Sequence, residues 1–161
     1  METVEEITLQ RRYLSLVDET EEDQADTLKF SFSSEKPVSR YAFDEVLDHS
    51  EESVDMTRLN ASAPLLFNHN PDKPIGVVQR AWLSDRKGYA RIKWGTSQLA
   101  EEVRKDVESG ILKSISVGYR INEAEAEDKY GVMRATSWTP YELSVVTIPA
   151  CLLYTSDAAD E

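Results

Sequence analysis

Apolar and polar residues alternate along most of the chain from Thr27 onward. The first instance is Leu28, Phe30 and Phe32, which alternate with lysine and serine. A period of two places these three apolar side chains on one face of an extended segment, as on a half-buried strand. Similar patterns, separated by turn-forming residues, predict further strands at 38–47, 64–70, 75–83, 89–94, 111–121, 131–138 and 141–148, and a short helical turn within 54–59.

One segment follows the helical period instead. Leu99, Val103 and Val107 recur every four residues and form one apolar stripe. Ser97 is a candidate N-cap for this helix, and Gly110 stands where a glycine often ends one. Seven or eight strands with one or two packed helices predict a β-rich α+β fold, built as a closed or partly closed barrel of about seven strands.

The acidic residues are concentrated towards the ends of the chain. The chain has 161 residues, of which 18 are basic and 30 acidic, with a formal net charge of −12. Residues 1–26 hold nine acids and two bases, which predicts an acidic, flexible N-terminal arm that is mobile or weakly docked. The nearly neutral region 27–150 is long enough to form one globular domain with its own core.

Residues 151–161 break the pattern abruptly. The segment Cys-Leu-Leu-Tyr-Thr-Ser-Asp-Ala-Ala-Asp-Glu shows neither strand alternation nor a helical stripe. One valid back-translation of it resembles a transposase-type sequencing adapter read in frame. We therefore expect this segment to be adapter-derived and the natural gene to continue past Ala150, so that the domain at 27–150 is truncated. An ordinary polar tail is the alternative.

Composition and motifs exclude several classes of protein. The single cysteine cannot form an internal disulfide, and the longest apolar runs are far shorter than the roughly 20 residues that cross a bilayer. The acidic N-terminus lacks the pattern of an export signal, and the negative net charge disfavours binding to nucleic acid. Because the sequence has no His/Cys cluster, phosphate-binding glycine loop or Gly-x-Ser-x-Gly motif, we expect no metal and no cofactor.

Three positions place reactive side chains beside apolar strand faces. His69 closes an apolar row just before a turn, where an imidazole is partly shielded and still within reach of a substrate. Ser114 and Ser116 share a strand face with Gly118, whose missing side chain leaves room for a substrate backbone. Glu142 opens a largely apolar row, where a carboxylate is placed to orient an imidazole. Each also has a structural interpretation: a core histidine, serines on a solvated face and an exposed strand-end glutamate.

The order of three short motifs resembles the prohead proteases of tailed bacteriophages. The motifs are Phe67-Asn68-His69-Asn70 with Ile75-Gly76-Val77-Val78, Gly110 with Ile115-Ser116-Val117-Gly118-Tyr119, and Glu142-Leu143-Ser144-Val145-Val146 with Pro149-Ala150. The similarity runs from about residue 41 to residue 150. Because that family is related to herpesvirus assemblin, the resemblance implies an assemblin-like barrel and a serine endopeptidase.

The resemblance also implies a role for each residue at the candidate site. Ser116 would be the nucleophile, preferred to Ser114 because it directly precedes the Val-Gly pair of its motif. His69 would be the general base and Glu142 the third member that orients it. The herpesvirus relatives use a second histidine as third member. His49 is therefore the alternative to Glu142, although it lies in a polar stretch outside the matched motifs.

Maturation of a phage head is the function that the resemblance implies. Such a protease cleaves scaffold and major capsid protein, and often itself, inside the immature prohead in the host cytoplasm. The implied partners are these substrates, without nucleic acid or membrane. Two other interpretations are open: a non-catalytic β-barrel component of head assembly, and a ligand-binding barrel, which would enclose an apolar cavity where a protease has a peptide groove.

Overall fold

The computed structural model describes residues 10–15 and 26–148. In these ranges nine strands form one sheet: β1 Gln10–Ser15, β2 Thr27–Ser34, β3 Val38–Ser39, β4 Asp44–Leu47, β5 Pro64–Phe67, β6 Asn70–Ser84, β7 Lys87–Trp94, β8 Ser114–Ala126 and β9 Val132–Val146. Two helices complete the described part of the chain: α1 Thr57–Asn60 and α2 Gln98–Glu108.

Seven of the strands follow one another around a curled sheet. Their order is β1-β8-β9-β5-β6-β7-β2, and neighbours run antiparallel except for the parallel pair β5 and β9. β4 is a further parallel neighbour of β9, and β3 pairs with β4. Cα atoms of β1 and β2, the two ends of this order, come within 8 Å of each other. The sheet therefore curls into a half-barrel, and the predicted β-rich fold of about seven strands with one or two helices is confirmed.

The apolar faces predicted from alternation point into this half-barrel. Phe30 and Phe32 of β2 are buried, as are Ile115, Val117 and Tyr119 of β8. Burial of side chains of this size stabilises a fold by roughly 1.5–3 kcal/mol each. Because successive residues of a strand point to opposite faces, the residues that alternate with the buried row of β8 lie on the outer face.

The helix α2 begins and ends where the sequence predicts. The Ser97 hydroxyl accepts a hydrogen bond from the Ala100 N–H at 3.1 Å, and Ala100 and Val103 are buried beneath the helix. Gly110 has φ +73°, the left-handed conformation in which glycine commonly ends a helix. Within residues 10–15 and 26–148, no helix is long and apolar enough to cross a membrane.

Several predicted elements differ from the structure. The strands predicted at 131–138 and 141–148 are one continuous strand, β9. The strand predicted at 38–47 is split into β3 and β4 by a turn in which the Arg40 N–H bonds to the Phe43 carbonyl at 2.7 Å. Its aromatic residues do not form a buried row, since Tyr41 is 97% exposed. The gap between the strands predicted at 64–70 and 75–83 is instead an irregular start of β6, because the register of the β5–β6 pair shifts there.

A strand forms within the segment predicted to be a flexible arm. β1 pairs antiparallel with β8, from Gln10 opposite Tyr119 to Ser15 opposite Ser114. This part of residues 1–26 belongs to the barrel wall. The remainder of the predicted arm, at 1–9 and 16–25, lies outside the described residues, as does the predicted adapter segment 151–161.

Candidate active site

Ser116 lies on the outer face of β8, between the buried residues of the core row. Its side chain is almost fully covered, at 1% exposure. The Ser116 Oγ is 2.8 Å from the Nε2 of His69, although 47 residues separate them along the chain. The hydroxyl is therefore hydrogen-bonded to an imidazole, which is the pairing that activates a serine as a nucleophile.

His69 occupies a tight turn between β5 and β6. Asn68 and His69 have φ values of +52° and +59°, in the left-handed region that asparagine tolerates better than most residues. The Asn68 N–H bonds to the Val145 carbonyl at 2.9 Å, and the His69 N–H bonds to the Ser144 hydroxyl at 3.1 Å. These bonds tie the turn to β9 and offset the cost of its backbone conformation, which is a form of strain often found at functional sites.

The predicted placement of His69 was wrong in one respect. Alternation put it on the apolar face of a strand with Leu65 and Phe67, but β5 ends at Phe67. The two left-handed residues reverse the chain and redirect the imidazole to the outer face, where Ser116 lies. Alternation cannot reveal this, because it assumes extended backbone throughout.

Glu142 projects from β9 beside His69. Its Oε1 is hydrogen-bonded to the Nδ1 of His69, and both side chains are largely covered, at 12% and 10% exposure. With an ionised Glu142, which can only accept hydrogen bonds, the imidazole would carry its proton on Nδ1 and leave Nε2 to accept the Ser116 O–H. The three predicted residues thus form one continuous chain of hydrogen bonds from hydroxyl to imidazole to carboxylate.

Gly118 makes room for this carboxylate. A Cβ at this position would lie 2.8 Å from the Cγ of Glu142 and 3.0 Å from the Cζ of Tyr141. The space beside Ser116 that the sequence suggested for a substrate backbone is therefore filled by Glu142 and Tyr141. The pairing of Gly118 with Glu142 across β8 and β9 fixes this arrangement.

Ser144 is a member of the site that sequence reasoning missed. It is fully buried directly opposite Ser116 in the β8–β9 pair. Its Oγ accepts the His69 N–H and donates to the Oε2 of Glu142 at 3.4 Å, so it contacts two of the three members. The alternation that places Glu142 and Ser144 on one face of β9 was the available signal.

The alternative third member, His49, lies in a different part of the barrel. Its Nε2 is 2.8 Å from the Ser33 Oγ, and its Nδ1 is 2.8 Å from the Leu47 carbonyl oxygen. The ring is 3% exposed and packs edge-on against Trp138, with ring centroids 5.2 Å apart. Both ring nitrogens of His49 are therefore engaged away from His69. The residue that is hydrogen-bonded to the Nδ1 of His69 is Glu142.

The loop after β4 holds the most strongly perturbed carboxylate in the described part of the chain. Burial would raise the pKa of Asp48, but hydrogen bonds from Ser53, Ser50 and Arg134 outweigh burial and lower the pKa from 3.8 to about 2. None of these residues contacts the Ser116 site in the hydrogen bonds of the structure. This cluster therefore stabilises the loop and plays no part in the proposed chemistry.

Comparison with known sequences gives one family match and two similar relatives. Residues 5–158 match the family model described as caudovirus prohead serine protease. The chain is 40% identical over 127 residues to the major capsid protein of Halomonas phage phiHAP-1, with 74% of this chain and 21% of that protein covered. It is 33% identical over 96 residues to the capsid polyprotein of Pseudomonas phage PAJU2, with 54% of this chain and 14% of that protein covered. The chain thus spans about a fifth or less of each relative.

A solved structure of a phage protease shares this fold. The bacteriophage T4 capsid assembly protease superposes with a TM-score of 0.61, covering 88% of this chain and 98% of that chain. Sequence identity in this comparison is 10%, so the similarity concerns the fold alone.

Proposed function

This chain belongs to the caudovirus prohead serine protease family, and on that basis we propose that it is an endopeptidase with Ser116 as nucleophile, His69 as general base and Glu142 as the orienting carboxylate. The observation that supports this assignment is the continuous set of hydrogen bonds through these three side chains on the outer face of the barrel. Serine, imidazole and carboxylate in this order are the parts that acyl transfer requires.

Acylation is the first step of the proposed reaction. The Ser116 Oγ attacks the carbonyl carbon of the scissile peptide bond while the Nε2 of His69 takes the hydroxyl proton. The tetrahedral intermediate then collapses, the C–N bond breaks, and His69 delivers its proton to the departing amine. Glu142 accepts the Nδ1 hydrogen bond throughout, which keeps the imidazole in the required tautomer and stabilises its charged form.

Deacylation repeats the same proton transfers with water. His69 removes a proton from a water molecule, whose oxygen attacks the acyl carbon and breaks the bond to Ser116. The proton returns to the Ser116 oxygen, which regenerates the free enzyme. Ser144 is proposed as a positioning residue, because it holds the backbone of His69 and the carboxylate of Glu142 at once.

We propose that the substrates are the scaffold and major capsid proteins of a phage head, and the chain itself. Two relatives are a major capsid protein and a capsid polyprotein far longer than the matched region, which favours a protease joined to or acting on capsid sequence. The proposed site of action is the assembling prohead in the host cell.

Cleavage of the major capsid protein from the same phage genome tests this function. The chain is produced together with that protein, and new termini are identified by mass spectrometry. Ser116→Ala and His69→Ala should abolish the cuts, while the matched control Ser114→Ala, two residues along the same face of β8, should keep them. Cuts that persist unchanged in folded Ser116→Ala would refute the assignment and favour a non-catalytic role in head assembly.

A further inference from the structure

An open pocket of about 320 Å³ lies beside the proposed active site on the outer face of the barrel. Arg58, Arg120, Thr139 and Tyr141 line it. Arg120 lies on β8 four residues after Ser116, on the same face because two alternations separate them. Tyr141 connects the two sites, since its ring also covers Gly118 next to Glu142.

The two arginines of the pocket differ from four other arginines of the region 26–148, which form ion pairs with carboxylates. Within that region, the ion pairs recorded for arginine involve positions 40, 86, 104 and 134, and Arg80 lies over the ring of Trp82. Arg58 and Arg120 form no ion pair with any described carboxylate. In a chain with a net charge of −12, two arginines at one pocket that have no ion-pair partner among the carboxylates of residues 26–148 indicate a place for an anion.

Neighbouring residues hold the pocket in shape. The Nε of Arg120 donates to the Oδ1 of Asn122 at 3.3 Å, and the amide of Asn122 donates to the Thr139 hydroxyl at 3.0 Å. This bond uses only Nε, which leaves the terminal amino groups of the guanidinium for a ligand. Arg58 belongs to α1, which is anchored by the fully buried Leu59.

We propose that this pocket binds the carboxylate of an aspartate or glutamate side chain in the peptide being cleaved. This inference rests on the proposed function, since it takes Ser116 as the nucleophile. Arg120 is four residues from Ser116 along β8, a separation of roughly 13 Å. About four residues of an extended peptide substrate span the same distance. The acidic side chain therefore lies within about four residues of the scissile bond, and two guanidinium groups with the Thr139 hydroxyl supply its hydrogen-bond donors.

Cleavage-site profiling tests the subsite directly. The protein is incubated with a peptide library prepared from a digested proteome, and the residues around each Ser116-dependent cut are counted. We expect aspartate and glutamate to be enriched at one fixed position, with about a tenfold lower kcat/KM for the matching glutamine peptide. Arg58→Gln and Arg120→Gln should remove the enrichment, and Arg120→Glu should favour lysine or arginine there. Arg80→Gln, an exposed arginine on β6, is the matched control and should keep it.

A binding measurement keeps the subsite testable apart from catalysis. N-acetylglutamate, N-acetylglutamine and inorganic phosphate are titrated into isotope-labelled Ser116→Ala protein and followed by NMR. N-acetylglutamate should cause saturable shifts at the amides of Thr139 and Tyr141 that the glutamine compound does not cause and that Arg120→Gln abolishes. No such shifts, or shifts with phosphate alone, would overturn the subsite.

The two experiments separate the two proposals. Ser116-dependent cuts without an acidic preference overturn the subsite and leave the protease assignment intact. If there are no Ser116-dependent cuts, the proposed function fails, and the titration still decides whether the pocket takes a carboxylate.

Discussion

Gly118→Ala is the substitution that most directly tests how the site is assembled. The new Cβ would lie 2.8 Å from the Cγ of Glu142, whereas ordinary carbon contacts begin near 3.4 Å. Glu142 must therefore move by about 0.6 Å, and its carboxylate is the group that holds the imidazole of His69. The contact with Tyr141 at 3.0 Å involves the far end of a side chain, which can shift at low cost.

The expected loss follows from the sensitivity of catalysis to position. A displacement of about 1 Å at a positioning group can reduce a rate by about 100-fold. We expect Gly118→Ala to lower kcat for capsid-protein cleavage by roughly 10- to 100-fold, which corresponds to about 1.4–2.7 kcal/mol of transition-state stabilisation. Gly118 does not have a positive φ value, so alanine fits the backbone and the protein should stay folded.

A double-mutant cycle identifies the cause of the loss. Glu142→Ala removes the Cγ and Oε1 atoms of Glu142, which are the two atoms of this side chain that the new methyl group would contact. In that background Gly118→Ala should change the remaining rate by less than about threefold, because the two substitutions act through the same group. Cleavage rates and thermal unfolding are measured for all four proteins. An equal loss in both backgrounds would refute the reasoning, as would a wild-type rate for folded Gly118→Ala.

Three further predictions concern residues outside the proposed chemistry. Ser33→Ala removes the hydroxyl that is hydrogen-bonded to the buried Nε2 of His49, so the free energy of unfolding in urea should fall by about 1–3 kcal/mol. The cleavage rate of the folded protein should be unchanged, and a large loss of rate would contradict a structural role. Asp48→Asn should cost about 1 kcal/mol at pH 7, a value reduced for the partial solvation of this group. Because the pKa of Asp48 is lowered from 3.8 to about 2, the difference from wild type should persist above pH 4 and vanish as the pH falls through 2; a constant difference in unfolding free energy would contradict this. Ser97→Ala should cost about 1 kcal/mol by removing the N-cap of α2, checked by thermal unfolding against Ser114→Ala, a half-buried serine that caps no helix, as the control.

Alternation along the chain was sufficient to predict the strand faces on which Ser116 and Glu142 of the proposed site lie. Ile115, Val117 and Tyr119 are buried, so Ser116 had to lie on the opposite face of β8. The same argument placed Glu142 and Ser144 together on β9. Strand faces follow from local sequence because the period of two depends only on extended backbone.

Positions that depend on distant pairing were not accessible in this way. The contact between His69 and Glu142 requires β5 to lie parallel to β9, although more than 70 residues separate the two side chains. It also requires two left-handed residues in the turn that carries His69. Register between remote strands is set by the packing of the whole barrel, which no local pattern encodes.

Two serine–histidine pairs with equal Oγ to Nε2 distances of 2.8 Å occur in this barrel, and their surroundings assign them opposite roles. His49 donates from Nδ1 to a neutral backbone carbonyl, and its ring packs edge-on against Trp138. His69 is bonded to a carboxylate that can stabilise a positive imidazolium, and it lies on the outer face of the sheet. A charge that forms and disappears during each proton transfer needs such a carboxylate, whereas a static hydrogen bond in a core does not. The partner of Nδ1, more than the serine–histidine contact itself, therefore distinguishes the proposed active site from a structural hydrogen bond.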